Sequence, residues 1–154
     1  MNAKTSNPAR IVIVGGGFSG ASCAVQLVRA SRVPLAIWIV EPRPEVGGGL
    51  AHSADDLDHR LNGPANLHYV DPSDSDSFQR WCVERDLVKA DPAARVADGS
   101  LYPRRKDFGV YVAQTVSKVG MLHTESKISH VRGLAIGLSK KGELLSVRTN
   151  GRST

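Results

Sequence analysis

Gly15, Gly17 and Gly20 stand at G-x-G-x-x-G spacing inside "IVIVGGGFSG", residues 11–20. Each glycine has its own task. The first turns the chain sharply out of a strand, the second lets a pyrophosphate approach bare backbone, and the third lets a helix pack closely on the sheet. Phosphates held there meet the unpaired N–H groups and the positive dipole end of that helix. Phe18 and Ser19 fall in the same first turn and are expected cofactor-binding positions. Glu41 follows Gly20 at about 20 residues, where a carboxylate accepts hydrogen bonds from an adenosine ribose. It would repel a ribose 2′-phosphate, although Arg43 keeps an NADP-type cofactor in play. The alternative is a structural strand–turn–helix with a solvent-facing glutamate. Strand, glycine turn, helix and acid occurring together favour the nucleotide.

Other residues offer weaker chemistry. His52, His59 and His68 lie on a loop without the register of a helix or strand, which argues against a metal site. The "SDSDS" run at 73–77 lacks the glycine and terminal glutamate of a calcium loop, and reads as a capped helix start. Arg104 and Arg105 are either a site for phosphate or an anionic substrate, or a solvated basic turn. Cys23 and Cys82 are far apart, and neither has a visible base beside it. Cys23 is expected to be packed within its helix and Cys82 half-buried. No nucleophilic triad or catalytic carboxylate pair is visible, as suits chemistry carried by a cofactor.

The elements that would position these residues follow from periodicity. Residues 10–15 read as a central parallel strand buried on both faces, and residues 18–31 as a helix with Gly20, Ala24, Leu27 and Ser31 on one face. "LAIWIV" at 35–40 gives a second strand and completes a βαβ unit. Residues 42–72 hold four prolines and no clear period, which suggests a functional loop. A helix capped by Ser73 or Ser75 carries Phe78, Trp81 and Cys82, and residues 88–100 read as a linker. A further helix covers 107–119. "ISHVRGLAIGL", a "KKGE" turn and "LLSVRT" then have strand character.

The chain's 154 residues suffice for one domain with a core. The formal charge of +5 suits an anionic small ligand. Neither a basic stripe nor a stacking platform is visible, which argues against nucleic acid. Two cysteines outside any CxxC pair argue against a disulfide scaffold. No apolar run approaches the roughly 20 residues of a membrane span, and the polar N-terminus is no signal peptide. A cytoplasmic location is the expectation.

Gly47–Gly49 shortly after Glu41 begins a further set of motifs. "GGGLAHS" (47–53), "HRLNGPAN" (59–66), "DPSDSDSFQRWC" (71–82) and "YPRRKDFGVYV" (102–112) follow in order. Together they resemble a bacterial family of FAD/NAD(P)-binding proteins of the flavoprotein oxidoreductase type, related in fold to flavin-dependent monooxygenases. The resemblance runs from about residue 10 to the end. It implies that Gly15, Gly17, Gly20 and Glu41 hold the ADP half of FAD. It also implies that Gly48, Leu50, Asn62 and Pro64 lie near the isoalloxazine or its phosphates. Arg104 would face phosphate or substrate. NAD(P)H would be the electron donor.

The expected fold is therefore α/β: a Rossmann-like βαβ FAD-binding domain over residues 10–154, with a parallel sheet and a small C-terminal antiparallel β element, after a flexible lead at 1–9. The domain is expected to be incomplete at its C-terminus, with an exposed sheet edge that offers a route to self-association. Two function classes follow. One is the FAD-binding N-terminal portion of an NAD(P)H-dependent oxidoreductase or monooxygenase acting on a small molecule. The other is a noncatalytic nucleotide-binding module or remnant with no turnover of its own.

Overall fold

In a computed structural model, residues 7–150 are described. The expected lead at 1–9 falls mostly outside them, and Ala9 already belongs to the first strand. Strand β1 (Ala9–Val14), helix α1 (Phe18–Ala30) and strand β2 (Leu35–Glu41) form the βαβ unit. β1 pairs with β2 in parallel from Ala9↔Leu35 to Val14↔Val40. Strand β3 (Lys127–Arg132) pairs in parallel with the other side of β2. The sheet order is thus β1-β2-β3.

That order corrects the expectation for β1. Among the described residues β2 is the central strand and β1 an edge, and Val12 and Val14 are 43% and 61% exposed. Ile11 and Ile13 on the opposite face pack against the core. A four-residue apolar run marks a strand but does not say how many neighbours it has.

Helix α1 covers the sheet through Ala21, Ala24, Val25 and Val28. This stripe is shifted by one residue from the expected face. A Cβ on Gly20 would lie 1.9 Å from the Gly15 carbonyl oxygen, so that position serves the turn rather than a side-chain stripe. Helix α2 spans Ser77–Glu84, and Asp76, not Ser73 or Ser75, is its N-cap residue. Phe78 and Cys82 are buried beneath it. The expected linker contains a single helical turn, α3 (Leu87–Ala90), and a 3-10 turn at Pro92–Ala94.

Helix α4 (Arg105–Leu122) begins two residues earlier than periodicity predicts, where Asp107 Oδ2 accepts the Arg104 N–H at 3.0 Å and caps its start. It buries Phe108, Val112, Val116 and Val119 as expected and packs beside α1. The strand-like C-terminal stretch divides. β3 enters the parallel sheet, Gly133 and Leu134 break it, and β4 (Ala135–Lys141) pairs antiparallel with β5 (Leu144–Thr149). The architecture is the α/β one expected, with a parallel sheet and a small antiparallel pair. No helix among the described residues is long and apolar enough to cross a membrane.

Candidate functional site

The glycine turn leaves β1 as the spacing predicts. The Gly15 N–H donates to the Val40 carbonyl at 2.9 Å while Gly15 holds a φ of +98°, a region that side chains disfavour. α1 then begins at Phe18 with Gly17 as its N-cap residue and no acidic side chain in its first turn. Its first N–H groups therefore face outward with no competing carboxylate of their own helix.

A second glycine loop completes the cradle. The Gly47 N–H donates to the Gly16 carbonyl at 2.6 Å. Gly49 sits at φ +53°, and a Cβ there would fall 2.7 Å from the Gly17 Cα. The two turns thus meet backbone to backbone. The groove they share holds about 520 Å³ and is lined by Gly15, Gly17, Ser19, Gly20, Gly48 and Leu50 among others. Leu50 is 85% exposed at its rim.

Glu41 ends β2 beneath this cradle. Its Oε2 accepts the Gly16 N–H at 2.9 Å, and its Oε1 accepts the N–H and the guanidinium of Arg43, each at 3.0 Å. Burial pushes this carboxyl up, but the bonds from Arg43 and Gly16 outweigh it and hold the group below its ordinary value. Glu41 is thus a buried, ionised acceptor rather than a solvent-facing acid. Arg43 is committed to Glu41.

The second glycine loop rests on α4, a relationship the sequence reading did not contain. A Cβ on Gly109 would lie 2.3 Å from the His52 carbonyl oxygen, and one on Gly47 would lie 2.8 Å from the Ala113 nitrogen. Gly109 interrupts a helix where glycine costs about 1 kcal/mol relative to alanine, which was the available signal for close approach.

Beyond the cradle lies a cavity of about 500 Å³. Phe18 and His52 line both spaces. Phe108 forms a wall, with its ring centroid 5.5 Å from Phe18, 5.1 Å from His52 and 5.4 Å from His68. Asn62 and Arg105 complete the polar lining. The His68 Nδ1 donates to the Pro64 carbonyl at 3.0 Å, so Pro64 orients this imidazole. His52 Nδ1 is buried without a hydrogen-bond partner. Burial lowers its pKa, and the positive charge of Arg105 and His68 lowers it further.

The two arginines separate. Arg105 reaches the cavity, whereas the Arg104 Nε lies 3.2 Å from Asp91 Oδ2. Asp91 also takes a two-pronged pair of bonds from Arg60, both at 3.0 Å. Arg104 therefore belongs to a buried framework that anchors the start of α4. The histidines do not converge on a metal site, and no metal-holding group occurs among the described residues. His59 instead faces Asp56 at 3.4 Å. In the acidic run, Asp74 pairs with Arg80. The cysteines differ from expectation: Cys23 is exposed where packing was expected, and Cys82 is fully rather than half-buried, with its thiol pushed up to about 12 by that burial.

A parallel βαβ unit, a glycine turn at a helix N-terminus and a buried acid closing the second strand define a Rossmann-like dinucleotide-binding domain. The chain belongs to the FAD-NAD(P)-binding family, whose model matches residues 12–154. No curated protein matches the sequence. Among solved structures, a flavin-containing monooxygenase from Stenotrophomonas maltophilia is similar in fold, with 20% identity and a TM-score of 0.56. A doubly substituted mutant of a flavin monooxygenase from the same organism gives the same values. In each case 96% of this chain and 36% of the other are covered, so this chain spans about a third of those proteins.

Proposed function

We propose that this chain holds FAD as the N-terminal portion of an NAD(P)H-dependent flavoprotein oxidoreductase. One observation carries the reading: Gly17 and Gly49 meet without side chains in front of the N-terminus of α1, with Glu41 behind them. A pyrophosphate resting there would meet the free N–H groups of Phe18, Ser19 and Gly20. Glu41 Oε2 has one lone pair left after Gly16 and would accept a ribose hydroxyl. Gly48 and Leu50 would flank the ribityl chain. Asn62 would both donate to and accept from the ring edge, while Pro64 acts through His68. When bound, FAD supplies hydride and electron transfer. The fixed dipoles and hydrogen-bonding groups of the chain supply position.

FAD is expected to bind more tightly than NAD, and NAD more tightly than NADP, because Glu41 repels a 2′-phosphate. A yellow, stoichiometric complex surviving gel filtration supports the reading. Calorimetry that ranks NADP first overturns it. A stable FAD complex that consumes no NAD(P)H would favour a noncatalytic nucleotide-binding module instead. We also infer a cytoplasmic setting and self-association along β1. The exposure of Val12 and Val14 supports the latter, and sedimentation over a concentration series tests it.

A further inference from the structure

We propose that the cavity between Phe108, His52, His68 and Arg105 binds a small planar carboxylate, an aromatic acid of about the size of benzoate, as the substrate class. This rests on the FAD reading above and deepens it. The lining combines flat apolar walls with positive charge. Phe18 and Phe108 are tilted by 38° with centroids 5.5 Å apart, and both line the space. The Arg105 Nε donates to the Arg60 carbonyl at 3.1 Å, which fixes the side chain along the cavity wall. Among the described residues, no carboxylate lies within ion-pair distance of Arg105. The nearby acids are engaged elsewhere: Asp107 on the Arg104 N–H, Asp91 with Arg60 and Arg104, and Asp55 with Lys106.

His52 and His68 frame the same side with their ring edges, the His68 Nδ1 proton being held by the Pro64 carbonyl. His52 Nδ1 is buried with no partner, and both imidazoles stand nearly perpendicular to the Phe108 ring, at 79° and 72°. A guanidinium matches a carboxylate in a planar, two-pronged geometry, and such charge-assisted bonds are the strong ones. Positive charge without a counter-ion, beside aromatic faces, therefore selects an anion with a ring attached. A neutral aromatic would leave Arg105 without a partner and gain only the apolar contact.

The test follows the histidine ring protons of the full chain by NMR as sodium benzoate is added, first without and then with FAD. Benzamide serves as the neutral control. Benzoate is expected to shift the His52 and His68 signals and to bind about tenfold or more tightly than benzamide. Arg105→Met should remove that preference, and Arg105→Lys should restore part of it. Equal binding of benzoate and benzamide overturns the proposal, and needs no variant to be folded. So does benzoate that displaces FAD, because the acid would then take the ring's own place at Asn62 and not the part of the cavity beside it. FAD binding is read separately from flavin fluorescence. Its failure would count against the proposed function, whereas the benzoate preference in the cofactor-free chain reports on the cavity alone.

Discussion

Gly16 and Glu41 are joined across the site: the Gly16 N–H donates to Glu41 Oε2 at 2.9 Å in a buried setting. The turn out of β1 and the acid closing β2 are therefore one hydrogen-bonded unit. Moving either moves the floor of the cradle.

Replacing Glu41 with Ala should weaken FAD binding by about 1–3 kcal/mol, through the lost ribose acceptor and the unpaired Gly16 N–H. Fluorescence titration reads the loss, and unchanged affinity would assign Glu41 a purely structural role. Stability should respond to acid as well. The folded-state pKa of Glu41 lies below the ordinary 4.5. Its contribution is therefore present in full above that value and is lost as pH falls through the lower folded one. Acid melts of the parent chain should fall more steeply than those of Glu41→Gln, and parallel curves would contradict this.

Gly17→Val should abolish FAD binding and spare most of the fold. The φ of Gly17 is −69°, open to any residue, and a Cβ there would sit 3.4 Å from the Gly49 Cα. The added methyl groups would instead fill the cradle. Circular dichroism should stay near that of the parent. A variant that binds FAD as well as the parent would show that the cradle is not the phosphate site.

Gly109→Ala sets two effects against each other. Alanine favours the helix by about 1 kcal/mol, but its Cβ would fall 2.3 Å from the His52 carbonyl oxygen. Backbone cannot yield as a side chain tip does, so overpacking should win by roughly 1–3 kcal/mol. Thermal melting should show a net loss together with weaker FAD binding, since the displaced loop carries Gly48 and Gly49. A higher melting temperature would mean that the loop moves freely.

Asp91→Ala should destabilise the fold by on the order of 3 kcal/mol, because two arginines lose a buried partner. This is the low end for such a pair, since Arg60 keeps 25% of its side chain exposed. Denaturant unfolding measures it. A loss below about 0.5 kcal/mol would place the network among ordinary surface pairs.

Much of the site was legible because it depends on local spacing. The turn at Gly15–Gly20 and the position of Glu41 follow from one βαβ unit, whose periodicity is contained in consecutive residues. The family motifs pointed to Gly48 and Leu50, which line the cradle, and to Asn62, which lines the adjoining cavity. What stayed hidden depends on contacts distant in sequence. Nothing near Arg104 reveals that Asp91 will claim it, and nothing near Gly109 reveals that residue 52 will press against it. The stretch from Ile128 to Leu138 reads as continuous strand because apolar residues persist, yet Gly133 divides it between two sheets. The edge position of β1 was hidden for the same reason, since neighbour count is a property of the whole sheet.

That edge position gives the glycine turn an uneven support. The Ala9 and Gly15 N–H groups donate toward β2, to Pro34 and Val40, so by strand alternation the amides of Arg10, Val12 and Val14 point away from it. Along one short strand, deuterium uptake should alternate residue by residue: slow at Ile11 and Ile13, fast at Arg10, Val12 and Val14. The strand that carries the cradle is thus anchored through every second peptide. A ligand held by the cradle should then lower the local opening equilibrium of β1 in step with its affinity.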